Sequence, residues 1–148
     1  MNKMLLKSKW GTALAATGLV ALIAGCASMS PMMGGQTIAL SGTNEVPSVT
    51  TPASGSATVT IKDDRSVTAS VTVTGMTATA SHIHEAAASA NGPVIVPFTK
   101  TGDNTFAAAP GAKLTEAQYA SYKAGNLYVN VHSAKNPGGE VRGQLKGN

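Results

Sequence analysis

Between residues 57 and 74 the chain alternates apolar with hydroxyl or charged side chains at a period of two. Ala57, Val59 and Ile61 interleave with Thr58, Thr60 and Lys62. After Asp63-Asp64-Arg65 come Val67, Ala69, Val71 and Val73, interleaved with Thr68, Ser70, Thr72 and Thr74, until Gly75 ends the run. Successive side chains of a strand point to opposite faces, so this pattern predicts a hairpin with one face buried and a charged turn. Further short strands are expected at residues 37–40, 82–85, 93–98 and 105–108. Residues 127–132 form another, with Leu127, Val129 and Val131 on one face, and Asn136-Pro137-Gly138-Gly139 turns into a last strand over 140–145. The single helix is expected over 116–124, where Thr115 and Gln118 have the spacing of a capping box and Gly125 suits the position after the last turn. Many short strands, Gly/Pro turns and one helix, without βαβ alternation or a long repeat, imply a mainly all-β fold. That fold is an antiparallel Greek-key β-sandwich or barrel.

The N-terminus carries a different message. Lys3, Lys7 and Lys9 precede a largely apolar run that ends in Leu22-Ile23-Ala24-Gly25-Cys26. The run is too short to span a bilayer and reads as a secretory signal. Small residues before the only cysteine resemble a bacterial lipobox, in which cleavage precedes Cys26 and lipid is attached to it. The expected organisation is a lipoprotein signal peptide over 1–25, a flexible tether over 26–35 and one domain over 36–148. A lone cysteine forms no internal disulfide. Three of the 11 basic residues lie in the leader, so most of the formal charge of +4 leaves with it. The mature chain lacks a basic run, so no nucleic-acid partner is expected. The membrane is contacted through the lipid on Cys26. Ser28, where an aspartate would signal retention, leans the expected location towards the outer membrane, facing the periplasm or exposed outside the cell.

All three histidines fall in two short blocks, Ser81-His82-Ile83-His84-Glu85 and Val129-Asn130-Val131-His132-Ser133. On a strand His82 and His84 point to the same face, ~7 Å apart at Cα, and can converge on one metal ion. Ile83, Val129 and Val131 are assigned to the core, which turns His82, His84 and His132 outward, onto the outside of the sandwich. Three imidazoles suit Cu(II) or Zn(II) and leave one position open. Glu85 or Glu140 could orient a ring from behind. The other reading keeps the histidines as surface or hydrogen-bonding residues on polar strand faces.

Other candidates carry less. Glu45 in Asn44-Glu45-Val46-Pro47 fits a strand-ending turn. Glu140 and Arg142 share a face of the last strand and suggest a salt bridge. The Asn136-Pro137-Gly138-Gly139 glycines precede no helix and so cradle no phosphate. Tyr119 and Tyr122 are expected to pack the helix on the sheet. Without a cysteine nucleophile in the domain, a Ser/His/Asp order or paired carboxylates, no conventional hydrolase is indicated.

Several blocks resemble the CHRD domain family, repeated in chordin and found singly in bacterial secreted proteins. They are Leu40-Ser41-Gly42-Thr43-Asn44-Glu45-Val46-Pro47, His82-Ile83-His84 with Asn91-Gly92-Pro93-Val94-Ile95-Val96, residues 126–134, and residues 136–145. The resemblance covers roughly 36–146. Departures are Ser48, where a second proline is common, and Glu85-Ala86-Ala87, where a Gly-Pro-type turn is common. It implies a cell-envelope binding or interaction module, with an envelope or extracellular protein as partner. A weaker resemblance is to copper/zinc superoxide dismutases, whose first copper-binding strand carries a motif similar to His82-Ile83-His84-Glu85 and whose later ligand is similar to Val131-His132. It implies a Greek-key sandwich. A bridging histidine and a zinc-ligand set are missing, and the family's guiding arginine would fall near Glu140, with Arg142 close by. What remains is a mononuclear three-histidine copper or zinc site, with dismutase-like redox activity as its furthest extension.

Overall fold

The computed structural model describes residues 35–147. The expected leader, Cys26 and the expected tether as far as residue 34 lie outside the described residues. Eight strands form a closed, wholly antiparallel barrel: β1 Gln36–Ser41, β2 Ser54–Ile61, β3 Val67–Thr74, β4 Ala78–Glu85, β5 Val94–Gly102, β6 Thr105–Ala108, β7 Leu127–Ser133 and β8 Val141–Gln144. Around the barrel the order is β1-β2-β3-β6-β5-β4-β7-β8, so β3 and β4, consecutive in sequence, are separated by two strands. That crossover makes the fold a Greek key, as the strand pattern implied.

The alternating hairpin is β2–β3, in register from Ser54↔Thr74 to Ile61↔Val67. At its turn Asp64 accepts the Ser66 N–H (3.0 Å) and hydroxyl (2.6 Å), while Arg65 takes a left-handed φ of 71°. The barrel is filled from its own strands, with Leu40, Val59, Val71, Ile83, Phe106, Val129, Val131 and Val141 nearly inaccessible. Branched aliphatic side chains pack well on pleated strands, which explains how a core with few aromatics suffices. Closure between β1 and β8 is narrow, with Ser41 opposite Arg142. There a Cβ on Gly143 would stand 2.6 Å from the Ala39 carbonyl, so only glycine permits the approach.

Helix α1 spans Glu116–Lys123 and has the expected capping box. Tyr122 is buried and Tyr119 packs at the edge of the core. Among the described residues no helix is long and apolar enough to cross a membrane. β4 begins at Ala78, four residues before the expected start, because its small Ala, Thr and Ser residues alternate too weakly to announce a strand. β5 continues to Gly102, pairing through Thr99 and Lys100 with β6.

The expectation of an outer histidine face is half right. Alternation does turn Tyr128, Asn130 and His132 away from the barrel core, yet every residue of β7 is buried. The connections over 42–53, 86–93 and 134–139 fold across this face and hydrogen-bond to it. The Asn44 amide donates to the Arg142 carbonyl (3.0 Å), the Asn91 amide to the Val46 carbonyl, and the Gln144 amide to the Ala86 and Gly125 carbonyls. A second, polar layer therefore lies between barrel and solvent.

Candidate metal centre

β4 and β7 carry the histidines. Their register sets His82 opposite Asn130, His84 opposite Tyr128 and Ala80 opposite His132. His132 thus lies diagonal to His82, within reach of a long side chain. Irregularities in pairing occur beside the site, between Ala78 and Ala80 against β7 and between Ile83 and His84 against β5. An extra residue in one strand of a pair bends it and re-aims its neighbours.

The ring centroids are 4.8 Å apart for His82 and His132, 5.5 Å for His82 and His84, and 5.9 Å for His84 and His132. One nitrogen from each ring lies within 4.8 Å of the other two. The opposite nitrogens of two rings are tied to backbone: His84 Nδ1 to the Gly92 carbonyl and His132 Nδ1 to the Pro137 carbonyl, both at 2.9 Å. A carbonyl only accepts, so both Nδ1 atoms carry the proton and both Nε2 atoms present lone pairs. His82 Nδ1 and His132 Nε2 are 2.9 Å apart, and by this logic His82 donates. His84 Nε2 is buried without a hydrogen-bond partner.

Burial holds all three imidazoles below their ordinary pKa. For His82 burial, then His132 and His84, bring it down to about 4. For His84 and His132 burial outweighs the carbonyl bonds that favour the charged form. Neutral imidazoles are the species a metal needs, and the carbonyl bonds already fix His84 and His132 in the tautomer that presents Nε2. Two nitrogen ligands on a tetrahedral ion with ~2.0 Å bonds stand ~3.3 Å apart, so His82 Nδ1 and His132 Nε2 are near ligand spacing, and metal binding there requires the His82 proton to move to Nε2. His84 Nε2, which makes no full hydrogen bond beside the Asn130 side chain, would gain a firm partner. The residues fit a transition metal, and the rings of His84 and His132 are held from behind in the way such ligands usually are.

Neither of the expected carboxylates bonds a histidine ring directly. Glu85 accepts from the Ser121 hydroxyl (2.5 Å), and Glu140 accepts from the hydroxyls of Thr51 (2.6 Å) and Ser133. Nor do Glu140 and Arg142 bond to each other. Arg142, 1% exposed, donates to the Asn91 side chain, the Ala87 carbonyl and Gln144, and its guanidinium carbon lies 3.4 Å from the Tyr128 ring centroid. Both residues are diverted by loops that cover the sheet. Glu45, read as part of a turn, is 6% exposed with an unpartnered Oε1. Burial pushes its carboxyl up to about 7 against the pull of Arg142 and the Asn130 amide.

Gly92 and Pro137 have no signature as orienting residues, because they act through carbonyls that every residue possesses. The one sequence clue is position: each lies in a Gly/Pro turn close to the histidine it holds.

The model of the CHRD domain family matches residues 36–145, a span that includes all eight strands and all three histidines. No curated protein and no solved structure matches the chain at significance.

Proposed function

This chain belongs to the CHRD domain family, and we propose that its barrel is a metal-binding module of the cell envelope. His82, His84 and His132 hold one Cu(II) or Zn(II) ion, and lipid on Cys26 holds the module at the membrane, in the outer membrane of a Gram-negative host. The observation that carries the metal reading is the convergence of three imidazole nitrogens within 4.8 Å, with the far nitrogens of His84 and His132 bonded to carbonyls. Ordinary surface histidines would not be gathered with two of the three buried and held from behind by carbonyls. A bound ion would supply a Lewis-acidic open position, redox-active if the metal is copper.

The anchor reading is supported by the lysines, apolar run and small residues that precede Cys26. The barrel buries its core with its own strands, so a chain over residues 27–148 is a suitable soluble form. Loaded with Cu(II) or Zn(II) and freed of excess, it is expected to retain one ion per chain, and the His132→Ala variant to lose retention. Sub-stoichiometric metal in the parent, or unchanged uptake in the variant, overturns the reading. A superoxide dismutation assay on the copper-loaded parent then separates a binding module from a redox enzyme.

A further inference from the structure

The geometry points to Glu140 as a positioning residue for His132, acting through the loop that supplies the Pro137 carbonyl. This inference takes His132 as a metal ligand, the reading proposed above. Its structural part stands on hydrogen bonds within the protein.

Glu140 is 5% exposed at the end of the 134–139 connection. One carboxylate oxygen accepts from Thr51 Oγ1 at 2.6 Å, and the other from Ser133 Oγ. Ser133 Oγ in turn accepts the Asn136 N–H at 3.0 Å. The Asn136 carbonyl accepts the N–H groups of Ser133 (3.3 Å) and Gly139 (3.1 Å). The next carbonyl, that of Pro137, accepts from His132 Nδ1 at 2.9 Å. From the carboxylate the hydrogen bonds run as far as Asn136, and one peptide unit further is the carbonyl that holds the imidazole.

Apolar packing does little to hold this loop. Ala134, Lys135, Pro137 and Gly138 are exposed, so the polar bonds at its two ends decide where the Pro137 carbonyl sits. Thr51 ties the same carboxylate to the segment leading into β2, with its own Oγ1 accepting the Ala53 N–H at 3.1 Å. Glu140 is thus braced from the opposite side of the covering layer. Its charge state suits this role. Burial works against the charge, yet bonds from Ser133, Thr51 and Asn136, with Lys135 nearby, hold the carboxyl below the usual carboxylate range. A charged acceptor makes the stronger hydrogen bonds.

The test reads the ring proton directly. In the metal-free chain over residues 27–148, nitrogen-15 NMR should show hydrogen-bonded Nδ1–H signals for both His132 and His84. In Glu140→Gln the His132 signal is expected to broaden or exchange faster, while the His84 signal, held by Gly92, persists as the internal control. Metal affinity of the same variant should fall about 10- to 100-fold. Ser133→Ala removes the relay hydroxyl and should give the same selective loss, which keeps the inference testable if the Glu140 variant folds poorly. An unaltered His132 signal in both variants overturns it, whatever the metal does. Loss of that signal in a protein whose parent binds no metal would uphold the positioning and refute the metal reading alone.

Discussion

His84 and Tyr128 face each other across the β4–β7 ladder with their rings stacked, 4.9 Å between centroids and 10° between planes. The contact does more than fill space. The Tyr128 hydroxyl accepts the Gly92 N–H at 3.3 Å, and the Gly92 carbonyl is the group that fixes His84. Arg142 sits against the same ring, where the aromatic quadrupole helps a cation buried from water.

Tyr128→Phe keeps both stacking contacts and removes one acceptor, leaving the Gly92 N–H without its bond. A loss of about 1–2 kcal/mol in stability is expected. Tyr128→Ala also empties the space between His84 and Arg142 and should cost about 3–5 kcal/mol. Urea unfolding of the two variants separates the hydroxyl from the ring. Equal losses would show that the ring contacts contribute nothing.

The histidines make stability depend on acid. Native His82 titrates at about 4 against an ordinary 6.5, and His84 and His132 shift the same way. Below pH 6.5 the unfolded chain takes up protons that the native state refuses. The histidines' contribution to stability is therefore complete above pH 6.5 and is lost as pH falls towards 4, where His82 itself protonates in the fold. His82→Asn should flatten this acid limb in urea midpoints measured from about pH 4 to 7. An unchanged slope would mean that His82 is not desolvated as its packing indicates.

Glu45 acts in the opposite direction. Its native carboxyl keeps a proton up to about pH 7, whereas the unfolded one loses it at about 4.5. The contribution is fully present below pH 4.5 and is lost as pH rises through 7, by at most ~3 kcal/mol. Glu45→Gln is a neutral isostere at every pH. Relative to the parent it should gain stability between about pH 5 and pH 8, and a constant difference across that interval would exclude a buried protonated carboxyl.

Cys26 lies outside the described residues, so the anchor is tested in cells. The full chain is expected to take up a radiolabelled fatty acid and to sediment with membranes, and Cys26→Ser to do neither. A Cys26→Ser chain that retains the lipid label would refute the lipobox reading.

What was legible in the sequence follows from which physical effects alternate. The residues from Ala57 to Val73 disclosed the hairpin because a strand has period two and one face had to be apolar. The same rule turned His82, His84 and His132 to one side of the sheet. Their burial was not legible, since the cover consists of connections that bind through carbonyls of Gly92, Pro137 and Ala87, groups that no residue type marks. Arg142 illustrates the difficulty. Between Val141 and Gly143 it reads as an outward charge available to Glu140, yet loop carbonyls and the Tyr128 ring surround it. Glu45 is the same case, since a turn-like tetrapeptide does not disclose that its carboxyl is folded inward.

The covering layer also predicts which glycine of the 134–139 loop is indispensable. Gly139 has φ of 131°, and a Cβ there would stand 2.5 Å from Glu45 Oε1 and 2.6 Å from Asn130 Nδ2. Both contacts are with the polar ends of buried side chains. Gly139→Ala should therefore add backbone strain of about 1–3 kcal/mol and displace Glu45 or Asn130. The adjacent Gly138 serves as control, because a Cβ there would meet nothing within 4 Å. Gly138→Ala should stay within about 0.5 kcal/mol of the parent. Thermal and urea unfolding of the two variants make the comparison, with metal retention as a second readout. Equal behaviour of the pair would show that the covering layer gives way freely, and that the close approach of Gly139 to Glu45 does not constrain the site.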